Sequence, residues 1–282
     1  MKQESKSGAL SLGCGYLGVR VGRILSSRGV SVVATTTRPD RTAELESFGF
    51  EPALLNFENF ENLEESAVWR RGYEVVLCAT APGRGGSVEA VFHSGPVRCA
   101  RKAFEAGAKR FVLVSTTGVY QQDDGSWVTE ESPAKPSEGR YLTIRTAEDE
   151  LLSLGASVLR LGGLYGPGRS PVEWLRRPEM RGRILQGSRE AWMNWIRVED
   201  AADLCALVLD RGAPGTIYLG VDGHPVRRGD FYRFAAEQAG LAPPDLPSGL
   251  PGMGKRCDNR STRAWLGFQP RFLTYRAGLT GL

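Results

Sequence analysis

The sequence feature that most constrains this chain is a glycine-rich segment close to its N-terminus. A short apolar run, Leu10-Ser11-Leu12, precedes Gly13-Cys14-Gly15-Tyr16-Leu17-Gly18, and residues with helical spacing follow. This order predicts a strand, a tight turn and a helix. Gly13 makes the turn, Gly15 lets the backbone approach a pyrophosphate, and Gly18 lets helix and strand pack closely. Because a helix N-terminus attracts anions, the segment predicts a dinucleotide site that includes Tyr16 and Leu17.

Composition and charge exclude several other classes of protein. The net charge of +4, from 36 basic and 32 acidic residues, is not clustered, so no nucleic-acid partner is expected. Five scattered cysteines and two histidines show no metal-ligand spacing, so no metal site is expected either. The polar N-terminus lacks the apolar core of a signal peptide, and no window is apolar enough to span a membrane. A cytoplasmic protein without a membrane partner is therefore the expectation.

Alternating strand and helix patterns predict the fold class. Apolar or β-branched runs at 10–12, 30–37, 52–56, 73–81 and 110–114 alternate with helical patterns, including one at 87–106. A loop is predicted at 121–139, a helix at 140–154 and a sixth strand at 157–161. The pattern predicts an α/β protein with a Rossmann doubly wound parallel sheet and a small C-terminal substrate lobe. The predicted nucleotide-binding domain spans 1–169 with 198–221 returning to it, and the lobe comprises 170–197 and 222–282.

The end of the second strand bears on the choice between NAD and NADP. In NAD sites this strand ends in an acidic residue that accepts from the ribose 2′-hydroxyl. Here the end is Thr37-Arg38. Thr37 can hydrogen-bond a 2′-phosphate and Arg38 can pair with it, so NADP is favoured over NAD. The alternative is that Arg38 is a solvated loop cation. Asn56, at the end of the third strand, is expected near the adenine.

A second group of residues suggests proton-transfer chemistry. Thr116 follows the fifth strand, and Tyr141 and Arg145 are four residues apart on a predicted helix, which places them on the same face. A fixed cation stabilises a neighbouring phenolate. Thr116 could then hold a reacting oxygen while Tyr141 moves its proton. The alternative is that Tyr141 is a packing tyrosine and Arg145 a solvated residue.

Together these motifs resemble the extended short-chain dehydrogenase/reductase superfamily of the NAD-dependent epimerase/dehydratase type, over nearly the whole chain. The resemblance also rests on three further stretches, namely 114–120, the run from Leu159-Arg160 to Tyr165-Gly166-Pro167-Gly168-Arg169, and 195–200. It implies that Thr116 orients the substrate oxygen, that Tyr141 is the acid-base residue and that Arg145 binds the nicotinamide ribose. It also implies further cofactor contacts, at Ala79, Thr80, Ala81, Ser115 and Gly163.

One departure from the family motif leaves two functions open. The family has Y-x-x-x-K, whereas this chain has arginine at position 145, which keeps the charge but cannot pass on a proton as lysine can. The first hypothesis is an NADP-dependent oxidoreductase or epimerase/dehydratase-like enzyme acting on an alcohol or carbonyl of a small polar metabolite, with an anionic compound such as a sugar nucleotide left open. The alternative is a non-catalytic NADP-binding redox sensor. The resemblance also raises a homodimer formed through helices that flank the sheet.

Overall fold

The computed structural model describes residues 8–81, 85–180 and 182–282. These residues group into two compact units. The first runs from the N-terminal strand to Val119 and also contains Lys135–Arg160 and Ala202–Tyr218. The second contains Tyr120–Ala134, Leu161–Ala201 and Leu219–Leu282. The division into a nucleotide-binding domain and a substrate lobe, with the limits given above, stays a prediction.

The secondary structure follows the predicted alternation. The strands are β1 (Gly8–Leu12), β2 (Ser31–Thr36), β3 (Glu51–Leu54), β4 (Val75–Cys78), β5 (Arg110–Thr116), β6 (Trp127–Val128), β7 (Ser157–Leu161), β8 (Gly163–Tyr165), β9 (Trp192–Met193), β10 (Trp195–Arg197), β11 (Ile217–Gly220), β12 (Val226–Arg227) and β13 (Arg256–Cys257). The α-helices are α1 (Tyr16–Ser27), α2 (Thr42–Ser47), α3 (Phe60–Glu65), α4 (Gly95–Glu105), α5 (Gly139–Ser153), α6 (Pro171–Leu175), α7 (Val198–Arg211), α8 (Arg228–Ala239), α9 (Arg260–Leu266) and α10 (Tyr275–Leu279).

Seven strands form one parallel sheet in the order β11-β7-β5-β4-β1-β2-β3. β1 lies between β2 and β4, so that Leu10 pairs with Val33 on one side and with Val76 on the other. The strand order reverses at β1, and in open α/β sheets ligands bind outside the carboxyl ends of the strands at such a reversal. The predicted Rossmann sheet is confirmed, and the glycine-rich segment follows β1 at the reversal.

The helix after β1, α1, packs through an apolar stripe that is visible in its sequence. Leu17, Val21 and Leu25 of α1 are all buried, as expected for an apolar stripe that faces a sheet. Gly22 lies on the same side, and a Cβ there would come within 2.7 Å of the Phe50 ring. Small residues on this stripe therefore set how closely α1 approaches its neighbours.

Two sequence-based boundaries are wrong in detail, and one predicted helix is irregular. β3 ends at Leu54, before Asn56. The helix predicted at 87–106 is confirmed from 88 to 105, but it contains a π-helical turn, Ala90–Ser94, before α4, where Pro96 has no N–H to donate to the preceding turn. The loop predicted at 121–139 contains β6, which pairs in parallel with β13, more than a hundred residues later in the chain. Pairing over that distance has no local sequence signal.

The second unit has its own aromatic core. The Trp195 ring stacks on Phe231 with centroids 4.4 Å apart and meets Tyr165 edge-on at 6.0 Å. Tyr275 and Leu279 of α10 belong to the same buried cluster. Trp195 is partly buried and packs against the core of this unit.

Candidate functional site

The turn after β1 requires glycine at position 13. Gly13 has φ +75°, and a Cβ there would lie 2.7 Å from Thr80 Cγ2 and 3.1 Å from the Ala79 carbonyl oxygen. Its N–H donates to Thr35 Oγ1 at 3.0 Å. Ala79 and Thr80 thus pack directly against the turn at Gly13, while Ala81 is exposed.

Gly15 and Gly18 have different surroundings, in line with the two tasks predicted for them. A Cβ at Gly18 would lie 3.0 Å from Ser11 Oγ and 3.1 Å from the Gly13 carbonyl oxygen, so the helix approaches the strand closely. A Cβ at Gly15 would meet only the Gly13 oxygen at 4.0 Å. Gly15 is the N-cap of α1, where no side-chain cap and no acidic first-turn residue occur among the described residues. Since open space lies over the positive end of a helix, the site fits a pyrophosphate.

At the end of β2 the structure adds a cation that the sequence analysis missed. Thr37 is exposed, and Arg38 is paired with Asp40, its Nε lying 3.1 Å from Oδ1. Arg41 pairs with Glu44 through its Nε at 2.8 Å and also reaches the glycine-rich segment, where its Nη1 donates to the Cys14 carbonyl at 2.9 Å. Two guanidinium groups therefore follow β2, and Arg41 is the one held against the loop.

Asn56 and Cys14 each have a local explanation. Asn56 is exposed, and its Oδ1 accepts from the Glu58 N–H at 3.0 Å in an Asx turn. Cys14 is 1% exposed, and burial raises the pKa of its thiol to about 11. Its thiolate form is therefore disfavoured at neutral pH, which agrees with a space-filling role.

The structure brings Thr116 and Tyr141 to the same glycine. Thr116 Oγ1 accepts from the Gly118 N–H at 3.0 Å. A Cβ at Gly118 would lie 2.3 Å from Tyr141 Cε1 and 2.9 Å from its hydroxyl, so the ring rests on Gly118. A larger residue there would displace the tyrosine. The end of β5 and the first turn of α5 thus place two hydroxyl groups beside one backbone position.

Arg140 lies next to the Tyr141 hydroxyl. Its Nη2 donates to that hydroxyl at 2.8 Å, and its guanidinium lies 4.8 Å from the ring centroid. Arg145 is held by two carboxylates instead, with Nη1 2.6 Å from Asp149 Oδ1 and 3.5 Å from Glu148 Oε2. The guanidinium that donates to the Tyr141 hydroxyl therefore belongs to Arg140, whereas helical spacing pointed to Arg145. Arg145 turns towards acidic residues on its own helix.

Ser115 faces a buried carboxylate. Its Oγ donates to Glu148 Oε1 at 2.5 Å. The same carboxylate binds Arg160 in a bidentate manner, with Nη2 2.7 Å from Oε2 and Nε 3.1 Å from Oε1. Glu148 and Arg160 are 0% and 1% exposed. Neither residue belongs to a motif that predicts a role in binding or chemistry.

Sequence signals for this pair did exist. The buried residues of α5 are Ile144, Ala147, Glu148 and Leu151, so a carboxylate occupies an inward-facing helical stripe. Arg160 stands in a strand that is buried at every residue. A charged residue inside an apolar pattern predicts a buried pair, although the partner cannot be read from the pattern.

Gly163 belongs to the second unit. A Cβ there would lie 2.5 Å from the Trp195 ring, and its N–H donates to the Asn194 carbonyl at 2.8 Å. Glycine at this position therefore lets Trp195 pack, and its predicted contact with a nicotinamide stays a prediction. Among the described helices, none is long and apolar enough to cross a membrane.

Comparison with known proteins places the chain in a family. A family model described as "NAD(P)H-binding" matches residues 13–164. The protein YeeZ of Escherichia coli K12 is 29% identical over 271 residues, which cover 93% of this chain and 94% of YeeZ. The structure of a functionally unknown conserved protein from Silicibacter pomeroyi is 30% identical, with a TM-score of 0.78 over 97% of this chain and 96% of that one.

A more distant structure shows the same fold. The dTDP-glucose 4,6-dehydratase of Bacillus anthracis, solved in complex with NAD, is 17% identical, with a TM-score of 0.82 over 97% of this chain and 94% of that one. At this identity the likeness concerns the fold alone. The matched segment contains the glycine-rich turn, Thr116, Tyr141 and five of the seven strands of the sheet, namely β2, β3, β4, β5 and β7. The chain therefore belongs to the NAD(P)H-binding family, and its fold is that of the extended short-chain dehydrogenase/reductases of the epimerase/dehydratase type, the superfamily that its motifs resemble.

Proposed function

We propose that this protein is an NADP-dependent enzyme that oxidises or reduces an alcohol or carbonyl group of a small polar metabolite. The observation that carries the proposal is the meeting of Thr116 and Tyr141 at Gly118, in the unit that also holds the glycine-rich turn. A protein that only binds a dinucleotide has no need of two hydroxyl groups at this position.

The cofactor would be held by the residues around the turn. Gly13, Gly15 and the N-terminus of α1 offer an uncrowded anion site for the pyrophosphate. Arg38 and Arg41 support NADP, because guanidinium groups pair well with a 2′-phosphate and no acidic residue ends β2. Arg41 has the stronger claim, since its contact with the Cys14 carbonyl fixes it beside the turn.

The side chains at Gly118 would handle the proton. When bound, the nicotinamide supplies hydride chemistry at its C4 atom. Thr116 would hold the substrate oxygen by a hydrogen bond, and Tyr141 would give a proton to that oxygen or take one from it. The Arg140 guanidinium donates to the tyrosine hydroxyl at 2.8 Å and would hold that hydroxyl in place for the transfer. Arg145 is paired with two carboxylates, so it would contribute less net positive charge beside Tyr141.

For the substrate we propose a class of compound and not a single compound. The exposed Arg140 favours a substrate that carries a carboxylate or phosphate close to the reacting group. A sugar nucleotide is one such compound, in line with the dTDP-glucose dehydratase that shares the fold. A redox sensor is the second candidate, and the ion pairs that Arg145 makes with Asp149 and Glu148 favour it, because they occupy the side chain that replaces the family's lysine.

The first experiment is a titration of the purified protein with NADPH, NADP⁺, NADH and NAD⁺, followed by nicotinamide fluorescence or thermal shift. We expect the NADP pair to bind at least tenfold more tightly than the NAD pair. A screen of carbonyl substrates follows, in which Tyr141→Phe should abolish turnover and leave the dissociation constant for NADPH nearly unchanged. Failure to bind any dinucleotide would refute the proposal, and full turnover by Tyr141→Phe would refute the role of the tyrosine.

A further inference from the structure

The buried ion pair between Glu148 and Arg160 has no part in the chemistry just described. Both side chains lie in the first unit and are almost fully excluded from solvent. Arg160 binds both carboxylate oxygens, through Nη2 at 2.7 Å and Nε at 3.1 Å and 3.2 Å. The guanidinium and the carboxylate therefore satisfy each other in a strongly directional geometry.

Stability alone is a weak reason for such a pair. Removing two charges from water is costly, and well-packed apolar residues of similar volume often stabilise a protein as well or better. What apolar residues cannot supply is direction, because their contacts tolerate rotation and sliding. A buried, bidentate pair fixes the elements that carry it in one relative position.

The positions that the pair connects are those that carry the proposed proton-transfer groups. The Glu148 carboxylate accepts from Ser115 Oγ, in the residue just before Thr116 at the end of β5. Oε2 of the same carboxylate lies 3.5 Å from Arg145 Nη1. Arg145 is one helical turn from Tyr141 on α5. Arg160, the fourth residue of β7, binds the carboxylate from that strand. A carboxylate on the third turn of α5 therefore joins the end of β5 to β7.

We infer that Glu148 and Arg160 are positioning residues, which hold the turn at 115–118 against α5 through its third turn and thereby set the distance between Thr116 and Tyr141. The inference rests on the proposed function only for the roles of those two hydroxyl groups. The geometric statement, that the pair orders these two segments, is independent of any cofactor.

The test replaces both charges with apolar residues, as Glu148→Leu/Arg160→Met. The matched control is Arg28→Met/Asp210→Leu, which removes an ion pair of 2.6 Å at the surface of the same unit. Hydrogen exchange is followed in the absence of ligand, together with the urea midpoint. We expect the double variant to keep a midpoint close to that of the wild type, while amides at 115–119 and 139–149 exchange at least tenfold faster. The control should leave those segments unchanged.

A second variant keeps the test valid if the double variant does not fold. Ser115→Ala removes one hydrogen bond to Glu148 and leaves the ion pair in place. Faster exchange confined to 116–119 would support the inference. Unchanged exchange there, or a uniform increase across the whole unit that follows a lowered midpoint, would overturn it, because the pair would then act on stability alone.

A binding measurement separates this inference from the proposed function. If wild type binds NADPH, the double variant should bind it at least tenfold more weakly, since Arg145, the residue predicted to bind the nicotinamide ribose, loses the contact with Glu148 that fixes it. Equal binding with unchanged exchange would overturn the positioning role and leave the proposed function intact. If wild type binds no dinucleotide, the proposed function fails, and the exchange data still decide whether the pair orders the two segments.

Discussion

Replacing Asp222 with asparagine should make the protein more stable at pH 8 and remove part of its pH dependence. Asp222 lies in the second unit, 1% exposed, and its Oδ1 accepts from the His224 N–H at 2.8 Å. Burial raises the pKa of this carboxyl from 3.8 to about 7, and the nearby Asp200 adds to the rise, while the His224 N–H opposes it. Below about pH 7 the folded protein therefore favours the protonated, neutral form of Asp222.

The sign and size follow from proton linkage. Because the pKa is higher in the folded state than in the unfolded state, the stabilising effect of the proton is complete below about pH 4. It is lost as the pH rises to about 7. A shift of about three pH units corresponds to about 4 kcal/mol in total, at about 1.4 kcal/mol per unit. Between pH 5 and pH 8 the expected loss is about 3 kcal/mol.

Urea denaturation at pH 5 and pH 8 measures this effect. Asparagine keeps the Oδ1 acceptor and carries no charge, so the difference in unfolding free energy between variant and wild type should increase by about 3 kcal/mol from pH 5 to pH 8. Asp245→Asn, at an exposed position, is the matched control and should show no such increase. If Asp222→Asn retains the full pH dependence of the wild type, the reasoning is refuted.

Three further predictions concern the candidate site. Gly13→Ala and its control Gly29→Ala should each lower the stability by roughly 1–2 kcal/mol, because both glycines have a positive φ. Only Gly13→Ala should also weaken dinucleotide binding, because only the Cβ at position 13 would clash with its neighbours. Equal effects of the two variants on binding would contradict this. Arg41→Ala should weaken NADPH binding about tenfold or more, because a charged hydrogen bond to the 2′-phosphate is lost, and should change NADH binding little. An equal loss of affinity for NADPH and NADH would count against a 2′-phosphate site. Gly118→Ala should cost about 1–3 kcal/mol of stability by overpacking and displace Tyr141, and an unchanged urea midpoint would show that the ring is not held there.

Local patterns predicted most of the first unit. The runs that became β1, β2, β4, β5 and β7 and the helices α1 and α5 were placed to within a few residues, because period and composition act over short stretches of chain. The glycine at 13 could also be assigned its task, since its positive φ follows from the tight turn that the spacing requires. The end of β3, the π-helical turn and β6 were not predicted, because each depends on residues that pack or pair from elsewhere.

The sequence by itself therefore determined the Rossmann architecture, the position of the glycine-rich turn and the two hydroxyl-bearing residues, one at the end of β5 and one at the start of α5. Only the tertiary structure decided which charges face which groups. Arg140 faces the Tyr141 hydroxyl and Arg145 faces Asp149, although helical spacing favoured the opposite arrangement. The pairing of Glu148 on α5 with Arg160 on β7 was likewise decided by the tertiary structure. Hydrophobic periodicity is a local property, whereas the partner of a charged side chain depends on orientation and burial, which exist only after distant segments have come together.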